Sequence, residues 1–100
     1  MAVVDVTVLP IGTGATSLSD FVVACQRELK LCGEGLNFQL TAMGTIIEGD
    51  LDRVLEVIRR LHEVPFNHGA MRVSTTIKID DRRDKAGTIL QKIQSVECKM

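Results

Sequence analysis

The hydrophobic period of this chain switches repeatedly between two and about 3.6, and no other feature restricts its fold as tightly. Val4, Val6 and Val8 alternate with Asp5, Thr7 and Leu9, the period of a strand with one buried face, and the run stops at Pro10. Leu18, Phe21, Val22, Cys25, Leu29 and Cys32 then recur at helical spacing, ending before Gly33 and Gly35. Ser17, three residues ahead of Asp20, supplies a variant capping box that opens this helix. From Leu36 the period is two again. Leu36, Phe38, Leu40 and Ala42 point one way, and Asn37, Gln39, Thr41 and Met43 the other. Gly44 turns the chain, and Thr45-Ile46-Ile47-Glu48 reads as a second, short strand.

Asp50 is placed to cap another helix, whose stripe is Leu51, Val54, Leu55, Ile58 and Leu61, with Pro65 as its stop. Gly69 leads into a long strand from Ala70 to Asp80, with Met71, Val73, Thr75, Ile77 and Ile79 on its apolar face. Asp80 to Asp84 form a charged turn. Ala86, Ile89, Leu90, Ile93 and Val96 stripe a last helix. The order predicts an α+β, ferredoxin-like βαββαβ sandwich: a four-stranded antiparallel sheet, two helices on one face, plus a C-terminal helix. One domain spans residues 1–100, and right-handed crossovers place strands one and three at the sheet centre.

Such a sandwich leaves one sheet face open. Asp5, Thr7, Gln39, Thr41, Arg72, Ser74, Thr76 and Lys78, with Met43, are expected there. Short hydroxyl and amide side chains dominate, where a solvated face more usually carries Glu and Lys and a dimer core more aliphatics. Such a face suits close sheet-on-sheet packing or the lining of a pocket for a small polar ligand; self-association is the preferred reading, with the last helix as a second contact, and a solvated face the alternative.

Composition removes several functions. With 12 Lys and Arg against 13 Asp and Glu, net charge −1, the chain offers no basic footprint for nucleic acid or an anionic membrane. Trp and Tyr are absent, so no base-stacking platform exists. No apolar run approaches the roughly 20 residues of a membrane span. The start, Met1-Ala2-Val3-Val4-Asp5, lacks the basic region of a secretory signal, and a cytoplasmic location is expected. Cys25 and Cys32 are seven apart on one helix, about 10 Å along its axis, too far for a disulfide. They and Cys98 read as thiols in a reducing compartment.

Catalytic motifs find little support, and no enzyme, metal site or cofactor is expected. His62, at the end of a helix, and His68, in the following loop, have no nucleophile beside them and read as solvated. Gly12-Thr13-Gly14 lacks the Gly-Lys-Ser/Thr ending of a phosphate loop and the third glycine of a dinucleotide fingerprint. The metal-chaperone use of this fold needs CxxC in the first loop, the RNA-binding use needs strand aromatics, and the acylphosphatase use needs a loop arginine. None is present. The most informative segment is Met43-Gly44-Thr45-Ile46-Ile47-Glu48-Gly49-Asp50. Glu48, bracketed by apolar residues and glycine, wants a donor, either a ligand's amidine-like edge or Arg72 as a structural pair.

At this segment the chain resembles the small thiamine-binding protein family of stand-alone ferredoxin-like domains. The resemblance runs through Val8-Leu9-Pro10-Ile11-Gly12, Gly35-Leu36-Asn37-Phe38-Gln39-Leu40, Met43-Gly44-Thr45 with Glu48-Gly49-Asp50, His62-Glu63, Arg72-Val73-Ser74-Thr75 and Lys78 to Lys85. It implies a homotetramer of sheet-packed dimers that binds thiamine or its hydroxymethylpyrimidine moiety without catalysis. On that expectation Thr45 and Glu48 form the polar edge of the ligand site, Phe38 covers the ring, and Ser17 and Ser19 are further donors. Two other functions fit the same fold: an amino-acid-sensing regulatory domain, which needs carboxylate donors near a helix N-terminus, and a structural homo-oligomer without ligand.

Overall fold

Val4 and Val6 are almost fully buried because β1, Ala2–Pro10, lies inside the sheet and turns these residues toward the helices. The computed structural model describes residues 1–12, 19–83 and 89–99, the side chains of 89–92 excepted. Within them the elements are β1, α1 (Ser19–Cys32), β2 (Asn37–Leu40), β3 (Thr45–Gly49), α2 (Leu51–Asn67), β4 (Val73–Asp81) and α3 (Ile89–Lys99). The sheet is antiparallel in the order β2-β3-β1-β4, so strands one and three are central as the crossover rule requires. The fold is the ferredoxin-like α+β sandwich.

Register assigns the faces, since cross-strand partners point to the same side. Val4 pairs with Ile47 and Ile79, and Val6 with Thr45 and Ile77. These face the helices. Leu29 and Cys32 of α1 and Val54, Val57, Ile58 and Leu61 of α2 complete the core with Val4, Val6 and Ile47. Burying each such aliphatic stabilises by roughly 1.5–3 kcal/mol. On the opposite face Asp5 pairs with Lys78, Thr7 with Thr76, and Glu48 with both Val3 and Asn37. Gln39 and Ser74 share that face.

Several boundaries differ from the sequence expectation, each for a physical reason. Thr41 and Met43 are not on the open face, because β2 ends at Leu40 and residues 41–44 form the turn to β3. Arg72 precedes β4 and, like Met71, belongs to the approach to the strand. Pro65 does not stop α2. The helix runs on to Asn67 with Pro65 fully buried inside it, and the Leu61 carbonyl left without the Pro65 N–H accepts from the Cys25 thiol of α1. Leu55 falls on the flank of that helix, while Val57 and Val64 take buried places. Asp50 caps α2 as expected, its carboxylate accepting from the Arg53 backbone N–H at 3.4 Å. The Ser17 cap lies outside the described residues.

His62 is not at a helix end or solvated. It sits within α2, half-buried, with Nδ1 2.7 Å from Thr75 Oγ1 and its ring edge-on to Phe66 at 5.6 Å. These contacts tie α2 to the outer strand β4. His68 is exposed and closes the end of the helix through its backbone N–H. Cys25, Cys32 and Cys98 are free thiols. Among the described residues no three His, Cys, Asp or Glu side chains are grouped to hold a metal ion. Nor is any described helix long and apolar enough to cross a membrane.

Candidate functional site

The sheet is one strand short at one end, and a cavity occupies the gap. Pairing between β1 and β3 finishes at Val6 opposite Thr45, while β1 continues to Pro10 with only β4 beside it. The β2–β3 turn folds back over the exposed edge. Thr7 Oγ1 donates to the Met43 carbonyl at 3.1 Å. Thr41 braces the turn from within: its hydroxyl donates to Gly44 O at 2.9 Å and accepts from Gly44 N at 3.1 Å. Gly44 is required here. A Cβ on it would lie 2.7 Å from Thr7 Oγ1 and 2.8 Å from Val6 O.

The resulting cavity has a volume of about 350 Å³ and is lined by Val6 to Leu9, by Val22, Cys25 and Gln26 of α1, by Leu40 to Thr45, and by Leu61 of α2. That volume lies within the range of small-molecule sites. A helix over a full sheet would close it, and Val22, 40% exposed on the α1 stripe, marks the missing packing. The described walls mix aliphatic side chains with the hydroxyls of Thr7, Thr41 and Thr45, the Gln26 amide and the Cys25 thiol. Gln26 Nε2 donates to Thr45 Oγ1 at 3.0 Å, and among the described residues this leaves the Gln26 oxygen as an acceptor and the Thr45 hydroxyl proton to donate. The Cys25 thiol donates to Leu61 O at 3.9 Å. Burial, and then the charge of Glu28, push this thiol above its ordinary pKa, so it stays protonated at neutral pH.

Of the residues expected to form a ligand site, the structure places one in the cavity. Thr45 is buried in its wall. Glu48 is buried on the other side of the sheet, because residues three apart in a strand face opposite ways; its Oε1 accepts from Asn37 Nδ2 at 2.8 Å. Phe38 is half-buried on the helix-covered face, packed against the core beside Ile47. Ser19 begins α1, exposed and outside the lining. Ser17 lies outside the described residues. Sequence reasoning passed over Gln26 and Cys25 as site residues, and placed Thr7 and Thr41 on the open sheet face without assigning them to the ligand. Gln26 carried a signal, a polar amide four residues after Val22 on a helix face that is otherwise apolar.

A model of the family described as thiamine-binding protein matches residues 4–97. The chain is 49% identical over 98 residues to the UPF0045 protein YqgV of Bacillus subtilis, covering 96% of this chain and 94% of that one. It is 46% identical over 99 residues to a UPF0045 protein of Staphylococcus xylosus, covering 97% and 92%. Among solved structures, a hypothetical protein of Methanocaldococcus jannaschii superposes with a TM-score of 0.86 at 34% identity, over 96% of this chain and 95% of that one. A Thermotoga maritima protein, whose description proposes a role in thiamine biosynthesis or salvage, gives 0.76 at 17% identity over 95% and 97%, a likeness of fold.

Proposed function

Since the chain belongs to the thiamine-binding protein family, we propose that it binds thiamine or its hydroxymethylpyrimidine moiety reversibly, in the cavity between α1 and the β2–β3 turn. The observation that carries this reading is the Gln26–Thr45 pair in a pocket whose described lining also holds Val6, Val8, Leu9, Val22, Leu40 and Leu61. A 4-aminopyrimidine edge presents an amine donor beside a ring-nitrogen acceptor. The Gln26 oxygen and the Thr45 hydroxyl proton form the complementary pattern. Val22, Leu40 and Leu61 supply apolar cover for the ring faces.

Binding without turnover fits the lining. Among the described lining residues the thiol of Cys25 is the strongest nucleophile by type, and a thiol held protonated by burial is a poor one. Calorimetric titration tests the assignment. The intact protein should give a saturable signal with the pyrimidine, and Thr45→Val should weaken it by about tenfold or more, since it removes one donor and releases the Gln26 amide. Unchanged affinity in a folded Thr45→Val protein would move the site elsewhere.

Self-association through the open sheet face, to a homotetramer in the cytoplasm, belongs to the same reading. Thr7, Ser74 and Thr76 give that face short side chains that allow close approach of a second sheet. Sedimentation equilibrium should return four chains. A monomer would remove the assembly and leave the cavity assignment standing.

A further inference from the structure

We infer that a second copy of this chain adds its β4 antiparallel to the outer edge of β4, continuing the sheet to eight strands, and closes its α3 over Ile77 and Ile79. The inference rests on the self-association of the proposed function. A two-fold contact through the open sheet face closes at two chains, so an assembly of four needs a second self-complementary surface.

The sheet order β2-β3-β1-β4 puts β4 at one end, where a strand turns a row of backbone N–H and C=O groups outward. β4 is nine residues long and is matched by β1 residue for residue from Val73 to Asp81, so no bulge bends this edge away. It contains no proline and is rich in β-branched residues. The other edge strand, β2, has only four residues. A long, straight edge such as β4 is a template for a further strand.

The side chains agree with the backbone. Ile77 and Ile79 share the face of Val6 and Val4 that the helices cover, yet they remain 42% and 45% exposed. On α3, Ile93 and Val96 are 42% and 60% exposed and, three residues apart, lie on one face of the helix. An apolar strip and an apolar stripe thus stand open on the same chain. A two-fold axis lets the stripe of each copy cover the strip of the other.

An axis normal to the sheet at Ile77 pairs all nine residues. Ile77 then meets the partner's Ile77 and Thr75 the partner's Ile79, which joins the isoleucines of both copies into one strip under α3. On the open face Thr76 stands opposite the partner's Lys78 and Ser74 opposite the partner's Asp80, hydroxyls against charges. A register centred on Lys78 would set ammonium against ammonium.

Disulfide trapping reads the register, and sedimentation equilibrium reads the mass. Cys98 is exposed, so trapping uses a Cys98→Ser background with copper phenanthroline as oxidant. Ile77→Cys should form a covalent dimer at least about tenfold faster than Val73→Cys, whose two copies stand roughly 26 Å apart across the axis. Ile77→Lys with Ile79→Lys, and separately Ile93→Lys with Val96→Lys, should each halve the mass of the parent assembly at matched circular dichroism. Parent mass kept by either double variant, or equal trapping at the two cysteine positions, would overturn the inference. A parent dimer that traps at Ile77→Cys would keep the edge contact and remove the open-face one. A parent dimer that does not trap there would do the reverse, and a monomeric parent would overturn both.

Discussion

The thiol of Cys25 in α1 donates to the carbonyl oxygen of Leu61 in α2, with 3.9 Å between sulfur and oxygen. In an unbroken helix that oxygen accepts the N–H of the residue four places on. Here that residue is Pro65, which has no N–H. A proline that removes one hydrogen bond inside α2 thus creates the acceptor that fastens α2 to α1, at the wall of the cavity. Cys25→Ala leaves Leu61 O without this donor and should cost about 1 kcal/mol of stability. In a Pro65→Ala background the restored N–H takes the oxygen, and the same cysteine substitution should cost less. Urea denaturation of the two single variants and the double variant measures the coupling. Strict additivity would show that the thiol and the proline act independently.

The same thiol makes stability depend on pH. Burial, followed by the charge of Glu28, raises the Cys25 pKa; burial and Glu28 raise that of Cys32 too, against the opposing pull of Arg60 and Arg53. A thiol whose folded pKa exceeds its unfolded one contributes stability that is whole below the unfolded value and lost as pH climbs through the folded value. Unfolding free energy should therefore fall above about pH 9. Cys25→Ser should flatten part of that fall, leaving the share owed to Cys32. Urea midpoints at pH 7, 8, 9 and 10 for both proteins supply the comparison, and parallel curves would contradict the assignment to Cys25.

Gly44→Ala tests how the turn is held over β1. The added methyl meets a threonine hydroxyl at 2.7 Å and a backbone carbonyl at 2.8 Å, and the carbonyl belongs to the paired part of β1 and does not yield. A loss of roughly 1–3 kcal/mol is expected. Because Gly44 lines the cavity, ligand affinity should fall together with the urea midpoint. A variant as stable as the parent would mean that the turn has room to lift from the sheet.

The β-α-β-β-α-β order was legible because each stripe serves one burial surface. Val4 and Val6, Ile47, and Val54 with Ile58 and Leu61 are spaced by the geometry that hides them. Pro65 was misleading as a helix stop, since only the tertiary structure reveals a donor on α1 and the burial of the ring. The site was less legible. Thr45 and Glu48 look paired along the sequence and lie on opposite faces of β3, a consequence of strand period that the spacing of three already contained. Gln26 and Thr45 are distant in sequence and meet only because β1 outruns β3 beneath α1. No local motif encodes that missing length of strand.

Glu48→Gln and Thr45→Val should therefore separate. Glu48 accepts from Asn37 on the open face, and its amide substitute changes that contact without reaching the cavity. Pyrimidine affinity should stay within about twofold in Glu48→Gln, while Thr45→Val loses at least about tenfold. Both numbers come from calorimetry on proteins with matched circular dichroism. The reverse order would assign the ligand to the open face.

The three thiols report on where a ligand sits. Cys25 lines the cavity, Cys32 is buried elsewhere at the end of α1, and Cys98 is exposed on α3. An alkylating agent such as N-ethylmaleimide should modify Cys98 first, Cys25 through the cavity, and Cys32 only when the fold opens. With hydroxymethylpyrimidine at about ten times its dissociation constant, Cys25 should react about tenfold more slowly, because only the unoccupied fraction is open to the reagent. Cys98 should be unaffected and serves as the internal control for reagent activity. Peptide mass spectrometry over a time course gives all three rates in one experiment. Slowing at Cys25 alone places the ligand in the cavity. Equal slowing at Cys25 and Cys32 would show that the ligand acts by stabilising the whole fold from another site, and would contradict the placement beside Gln26 and Thr45.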